Sequence, residues 1–318
     1  MTRLTYSEFL ETVAENFLSF FPETWKNRKI NIQAVHKNNR TYDGLSLLVP
    51  EKDHQMVPTV YVQDMYAEYF KEYENFPDPL KAILSTYADR YMTAYRSQPK
   101  TSASQITVEM IAAAPILPQL VMREGNEDFL QDKVWTPFLD LAVIYRAVLD
   151  VNENGFASFV ITNQFLEATG LTKEQIEGRA KTDRPLGDPV IQSMKDSMRG
   201  MLDQLPDELR PEPDEFDAMF MVCPEMIVLT NRLNKYGAAE MLNTELFRQM
   251  AEERECDLLI IPSSVHELII VSADDFDDPD YAMDMVRSVN NSGELSPEEI
   301  LSYSVYRYYK DRDMIDRV

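Results

Sequence analysis

Residues 226–271 read MIVLTNRLNKYGAAEMLNTELFRQMAEERECDLLIIPSSVHELIIV. The pattern is strand, capped helix, strand and strand. The apolar runs Met226–Thr230, Leu258–Ile261 and Leu268–Val271 have strand length, and polar residues occupy the turns between them. This stretch identifies a fold element and names no reaction.

Working outward, Ile116–Met122, Leu139–Leu149 and Ala157–Thr162 read as three more strands, with helices between several of the six. VITNQFLEATGLTKEQI and VLTNRLNKYGAAEM each leave a strand through Thr-Asn and enter a helical pattern. Asn163 and Asn231 therefore stand near helix N-caps, where an Asn side chain satisfies orphan N–H groups without any ligand; a duplicated half-site is the alternative. DQLPDELRPEPDEFD, residues 203–217, holds seven acids, one Arg and three prolines and reads as a mobile, protease-sensitive loop. DDFDDPD at 274–280 precedes a helix bearing Met283, Val286 and Val289, and its acids complement the positive end of that helix.

Toward the N-terminus, Phe9, Leu10, Val13, Phe17 and Phe20 fall on one helical face, and Pro22 ends that helix. Strands are expected at Ile30–Val35, Leu45–Val49 and Thr59–Val62, with KNNRTYDG turning between the first two; helices are expected at Asp64–Glu74 and Pro79–Arg96. SQPKTSAS, residues 97–104, is polar and aperiodic and marks the boundary between an N-terminal module, 1–100, and a larger one, 101–318. The expected fold class is α+β: two α/β modules, each with antiparallel or mixed sheets and helices packed on them.

The 318 residues carry 54 acids against 31 bases, a formal charge of −23, which disfavours nonspecific binding to nucleic acid phosphates. Hydrophobic content of 44% suffices for a core, and no apolar run approaches the roughly 18 residues of a membrane span. The opening MTRLTYSEFLETVAENF is amphipathic and acidic, unlike a secretion signal. Two isolated cysteines, Cys223 and Cys256, give no zinc pattern, so the expected home is a reducing cytoplasm, with no cofactor and no metal.

Asp150–Ile161, DVNENGFASFVI, places Asp150, Asn152, Asn154, Gly155 and Ser158 on calcium-loop positions. Ile161 stands where a bidentate Glu belongs, and the flanks are strand-like, so a hairpin turning at Asn154-Gly155 is the better reading. PSSVHE sets Ser263, Ser264, His266 and Glu267 in a tight turn between apolar strands. Hydrolysis there requires Ser264 and His266 to meet around Val265 with an acid orienting the His; a small-molecule or peptide-binding turn and a self-satisfied hairpin turn are the other readings. Arg146 interrupts LAVIYRAVL on the face of Ala142, Ile144 and Val148, where a guanidinium needs an acid or a ligand; in so acidic a chain, a structural acid is expected. Tyr66, Tyr69, Phe70 and Tyr73, and again Tyr303, Tyr306, Tyr308 and Tyr309, form stripes that serve either as core or as a docking face. The chain has no GxGxxG, Walker loop, HExxH, CxxC or GxSxG pattern.

YSEFLETV, PTVYVQDMYAEY, FLDLAVIYRAVL, VITNQFLEATGLT, VLTNRLNKYGAAEML, LLIIPSSVHELIIV and SPEEILSYSVYRY together resemble an uncharacterised, domain-of-unknown-function family of cytoplasmic proteins from anaerobic gut Firmicutes. The ITNQFLEATGLTKEQI block is also similar to a second uncharacterised bacterial family. The resemblance implies a bacterial accessory protein and supplies no activity. On charge and missing motifs, the leading expectation is a non-enzymatic protein that binds another protein. The alternatives are a small-ligand binder or hydrolase-like enzyme gathering Ser263, Ser264, His266, Glu267, Asn231, Tyr236 and Arg146, and an acidic DNA-mimicking inhibitor from a mobile element.

Overall fold

A computed structural model of the chain describes residues 3–50, 57–97, 108–152, 155–203, 205–206, 210–221, 224–276 and 279–318. The chain forms two compact units, 1–107 and 108–318. Residues 98–104 of the expected linker, Asn154 of the hairpin turn and Cys223 lie outside the described residues.

In the first unit, α1 (Tyr6–Asn16) starts at a capping box in which Thr5 and Glu8 each satisfy the other's backbone N–H. Strands β1 (Lys29–Lys37), β2 (Arg40–Leu48) and β3 (Val60–Tyr61) pair antiparallel in that order, and α2 (Val62–Lys71) and α3 (Pro79–Ser97) follow. Of the expected stripe, Phe9 and Val13 of α1 and Phe17, in the 3-10 turn Phe17–Phe20 that follows it, are fully buried, meeting Leu45 and Leu47 of β2, Met65 and Tyr69 of α2, and Tyr91 of α3. Leu10 and Phe20 are partly buried, and the α-helix itself ends at Asn16, ahead of Pro22. The Tyr91 hydroxyl accepts from the Leu47 N–H at 2.8 Å, so even this apolar core leaves a polar tip satisfied.

Two expectations change. The turn between β1 and β2 is only Asn38-Asn39, with Asn39 at φ +58°, and TYDG belongs to the strand, where Tyr42 packs its ring on Tyr61. The third strand is two residues long because the helix begins at Val62.

In the second unit, α4 (Val108–Ala113), β4 (Ile116–Met122), α5 (Glu127–Leu130), β5 (Trp135–Phe138), β6 (Leu141–Asn152) and β7 (Gly155–Val160) come first. They are followed by α6 (Asn163–Thr169), α7 (Lys173–Thr182), β8 (Pro189–Ser193), α8 (Met194–Leu202), α9 (Pro213–Phe220) and β9 (Ile227–Asn231). The chain ends through α10 (Thr244–Arg254), β10 (Leu258–Ser264), β11 (Glu267–Ser272), α11 (Pro279–Asn291), β12 (Tyr306–Tyr309) and β13 (Met314–Arg317). One sheet runs β4-β6-β5 with β7 also on β6; the other runs β13-β12-β10-β11-β9-β8, and the pairings are antiparallel. The fold is α+β.

The centre of the second sheet is buried on both faces, which is why β10 reads as a continuous apolar run. Leu258 and Ile260 join the core shared with Ile116, Leu120 and Val143 of the first sheet, while Leu259 and Ile261 meet Ala282 and Val286 of α11. Val289 of α11 is instead exposed.

Tyr306 and Tyr308 alternate inward on β12 and are fully buried, as is Tyr69 nearly so in α2; these members of the two tyrosine stripes are core. Four short strands, β5, β8, β12 and β13, escaped the sequence reading because Pro, Gln or charge interrupts each. The expected loop at 203–217 gives way to helix α9 from Pro213, and the β6–β7 hairpin closes at Asn152 opposite Gly155. Thr162, not Asn163, caps α6 through its side chain.

Candidate functional site

Asn231 ends β9 with its side chain turned into its own loop. It is buried, its Oδ1 accepts from the N–H groups of Leu233 (3.1 Å) and Lys235 (3.3 Å), and its Nδ2 donates to the Lys235 carbonyl (2.6 Å). This folded turn, with Asn234 and Tyr236 both at positive φ, delivers the chain into the 3-10 turn Gly237–Leu242. Gly237 is dictated by contact: a Cβ there would stand 2.5 Å from Thr230 Oγ1 and 2.6 Å from the His266 carbonyl oxygen. The helix expected after Thr-Asn is therefore preceded by a loop, and α10 takes its cap from Asn243.

The Tyr236 N–H donates to His266 Nδ1 at 3.0 Å. That bond fixes the neutral tautomer with its proton on Nε2, which faces Glu299 Oε1 at 3.6 Å. Burial, helped by Lys235, holds the imidazole below its ordinary pKa, and Glu299 opposes them. Ser264 Oγ accepts from the His266 backbone N–H at 3.0 Å, and Ser263 Oγ donates to Glu267 Oε1 at 3.0 Å. Both hydroxyls are thus engaged within the turn, and both ring nitrogens of His266 face groups other than Ser264.

The Arg146 guanidinium lies 5.0 Å from the Tyr236 ring centre, and the His266 ring lies 5.5 Å from it. Arg146 donates to Ser158 Oγ (2.9 Å) and Gln119 Oε1 (3.1 Å), and burial lowers its pKa. The expected acid partner is not there: among the described residues, Arg146 has only neutral partners, because β4 and β7 on either side of it present an amide and a hydroxyl. Tyr236 is therefore the hub that gathers Asn231, His266 and Arg146, while Ser263 and Glu267 pair with each other.

Tyr236 also borders a cleft of about 520 Å³, within the usual size of a small-molecule site. Asn231 and Tyr236 line it; of the other singled-out residues, His266 and Arg146 neighbour the Tyr236 ring without lining the cleft. Its apolar walls include Leu117, Phe138, Val143 and Leu242. A chain of hydrogen bonds runs along one wall, from the Tyr145 hydroxyl to Thr136 Oγ1 (2.9 Å) and from Thr136 to the Glu177 carboxylate, which also lies 3.6 Å from Lys173. Opposite in chemistry is Glu240. Burial pushes its carboxyl above the ordinary range against the opposing pull of Arg184 and Asn243, and among the described residues it has no ion pair.

A second hollow of about 710 Å³ includes Asp140, but that carboxylate is already served by Ser304 (2.9 Å), Tyr306 (2.7 Å) and Arg317 (3.8 Å). Among the described residues, no group of three or more His, Cys, Asp and Glu is placed to hold a metal, and no helix is long and apolar enough to cross a membrane.

Glu240, Glu177, Tyr145 and Thr136 were missed from the sequence. Glu240 carried a readable sign, an acid inside the otherwise small and apolar GAAEML. Glu177, within KEQIEGRAK, looks like any solvated helix charge, and Tyr145 looks like core.

In comparison with known proteins, a family model described as a family of unknown function (DUF5688) matches residues 6–310. No curated protein and no solved structure matches the chain.

Proposed function

Because the chain belongs to DUF5688, a family of unknown function, we propose a role from its own geometry: the second unit binds a small organic ligand in the Tyr236 cleft. The observation that carries this reading is the cleft itself, about 520 Å³ of largely apolar surface whose wall holds a hydrogen-bonded Tyr-Thr-Glu chain and a half-buried carboxylate, Glu240, that makes no ion pair among the described residues. Asn231, Gly237 and Thr230 over-determine the loop that forms one side, so the site is preformed and not assembled on binding. A reducing bacterial cytoplasm is the setting this reading keeps, in accord with two isolated cysteines and the acidic composition.

The test is a thermal-shift screen of small metabolites at about 1 mM, repeated on Ala239→Phe, which fills the cleft from its wall. Ligands that raise Tm for the wild type and not for the filled variant are expected. A screen in which every shift is equal in both proteins would remove the cleft as the site.

Association with another protein is the second reading, and α11 favours it. Tyr281, Met285 and Val289, spaced by four residues, are all exposed along one stripe among Asp280 and Asp284. A partner offering an apolar groove rimmed by Lys and Arg fits that stripe. Capture that succeeds with wild type and fails with Met285→Arg is the expected outcome, and equal capture by both proteins would reject the stripe.

A further inference from the structure

The charges around the cleft are unequal in consequence. Lys181 and Arg184 sit at its exposed rim, where water screens them, and the Arg184 guanidinium donates to the carbonyls of Lys181 and Asp183. Asp183 accepts from the Ile116 N–H at 2.8 Å and faces Arg179 at 3.8 Å, and Glu177 has Thr136 and Lys173. Glu240 alone among these acids is both withdrawn from water and without a cation within ion-pair distance among the described residues. Glu240 has an amide neighbour, Asn243, and a more distant guanidinium, Arg184, while Asp188 adds repulsion, so a ligand that brings a cation with N–H donors supplies the ion pair its carboxylate lacks, whereas an anionic ligand adds to the repulsion.

We propose that the ligand is an organic amine whose ammonium group pairs with Glu240 while an apolar body lies against Leu117, Phe138 and Leu242. This rests on the cleft being a ligand site. Complementarity of this kind, one charge-assisted contact within apolar walls, discriminates through the polar group, because the walls accept any body of the right size.

Three probes of one shape test it by calorimetry on the full chain: phenethylamine, phenethyl alcohol and hydrocinnamate. The amine is expected to bind at least about tenfold more tightly than either isostere, and Glu240→Gln is expected to bring it down to the level of the alcohol. Alcohol or hydrocinnamate binding as tightly as the amine, or amine binding unchanged by Glu240→Gln, overturns the amine assignment. If that binding is still lost in Ala239→Phe, or in Leu242→Trp should the first variant not fold, the cleft remains a ligand site of another class. Failure of all three probes also overturns the amine assignment, and the broader screen then decides the cleft on its own.

Discussion

At the scale of the residue, Glu240 and His266 are both titratable groups held away from their ordinary behaviour by burial, with opposite consequences for pH. The Glu240 carboxyl is raised in the fold, so the folded state holds its proton at pH values where the unfolded chain has released it. Its contribution to stability is therefore present at low pH and lost as pH rises through the folded pKa. Glu240→Gln is expected to have a Tm at neutral pH equal to or above wild type, with the advantage shrinking toward acid, as read by calorimetric melts across pH. A carboxylate whose neutral isostere stabilises the fold is retained at a cost, which accords with a binding role. His266 is lowered, so its contribution is present above about pH 6.5, the unfolded value, and is lost as pH falls through the folded pKa. The His266 C2 proton should titrate below that value by NMR, and the wild-type loss of stability as pH falls below about 6.5 should be reduced in His266→Gln.

At the scale of the element, the 231–237 loop decides where Tyr236 points. Asn231→Ala removes three hydrogen bonds from a buried turn and is expected to cost about 2 kcal/mol in urea unfolding and to weaken any cleft ligand as well. Gly237→Ala drives a methyl into Thr230 and the His266 carbonyl and is expected to cost about 3 kcal/mol, more than an ordinary Gly-to-Ala change in a turn. Strands β4, β6, β9, β10 and β11 were legible because their apolar runs are long enough to announce themselves. Strands β8 and β13 were not: their apolar runs are only two residues long, Val190-Ile191 and Met314-Ile315, and they exist as ladder partners of β9 and β12. The tyrosines of β12 show the same limit, since a pattern of alternate tyrosines is compatible with a wet or a dry face until its neighbour, β10, is placed.

At the scale of the whole molecule, the chain separates into units 1–107 and 108–318, each with its own core, and every residue of the cleft belongs to the second. Residues 108–318 produced alone are expected to melt cooperatively by circular dichroism and to bind cleft ligands as the full chain does, within about twofold. The sequence by itself determined the α+β class, the long strands, the apolar face of α1 and the polar turns, because those follow from periodicity and local backbone preference, which neighbours along the chain carry. It also pointed to Asn231, Tyr236, His266 and Arg146, which do gather. Only the tertiary structure decided that His266 is occupied by the Tyr236 N–H, that Arg146 rests on neutral partners, and that Glu177 and Glu240, 63 positions apart in the chain (240 − 177), line one cleft. Whether a charge is solvated, paired or stranded depends on what lies within a few ångströms of it, and that is set by packing between elements distant in the chain.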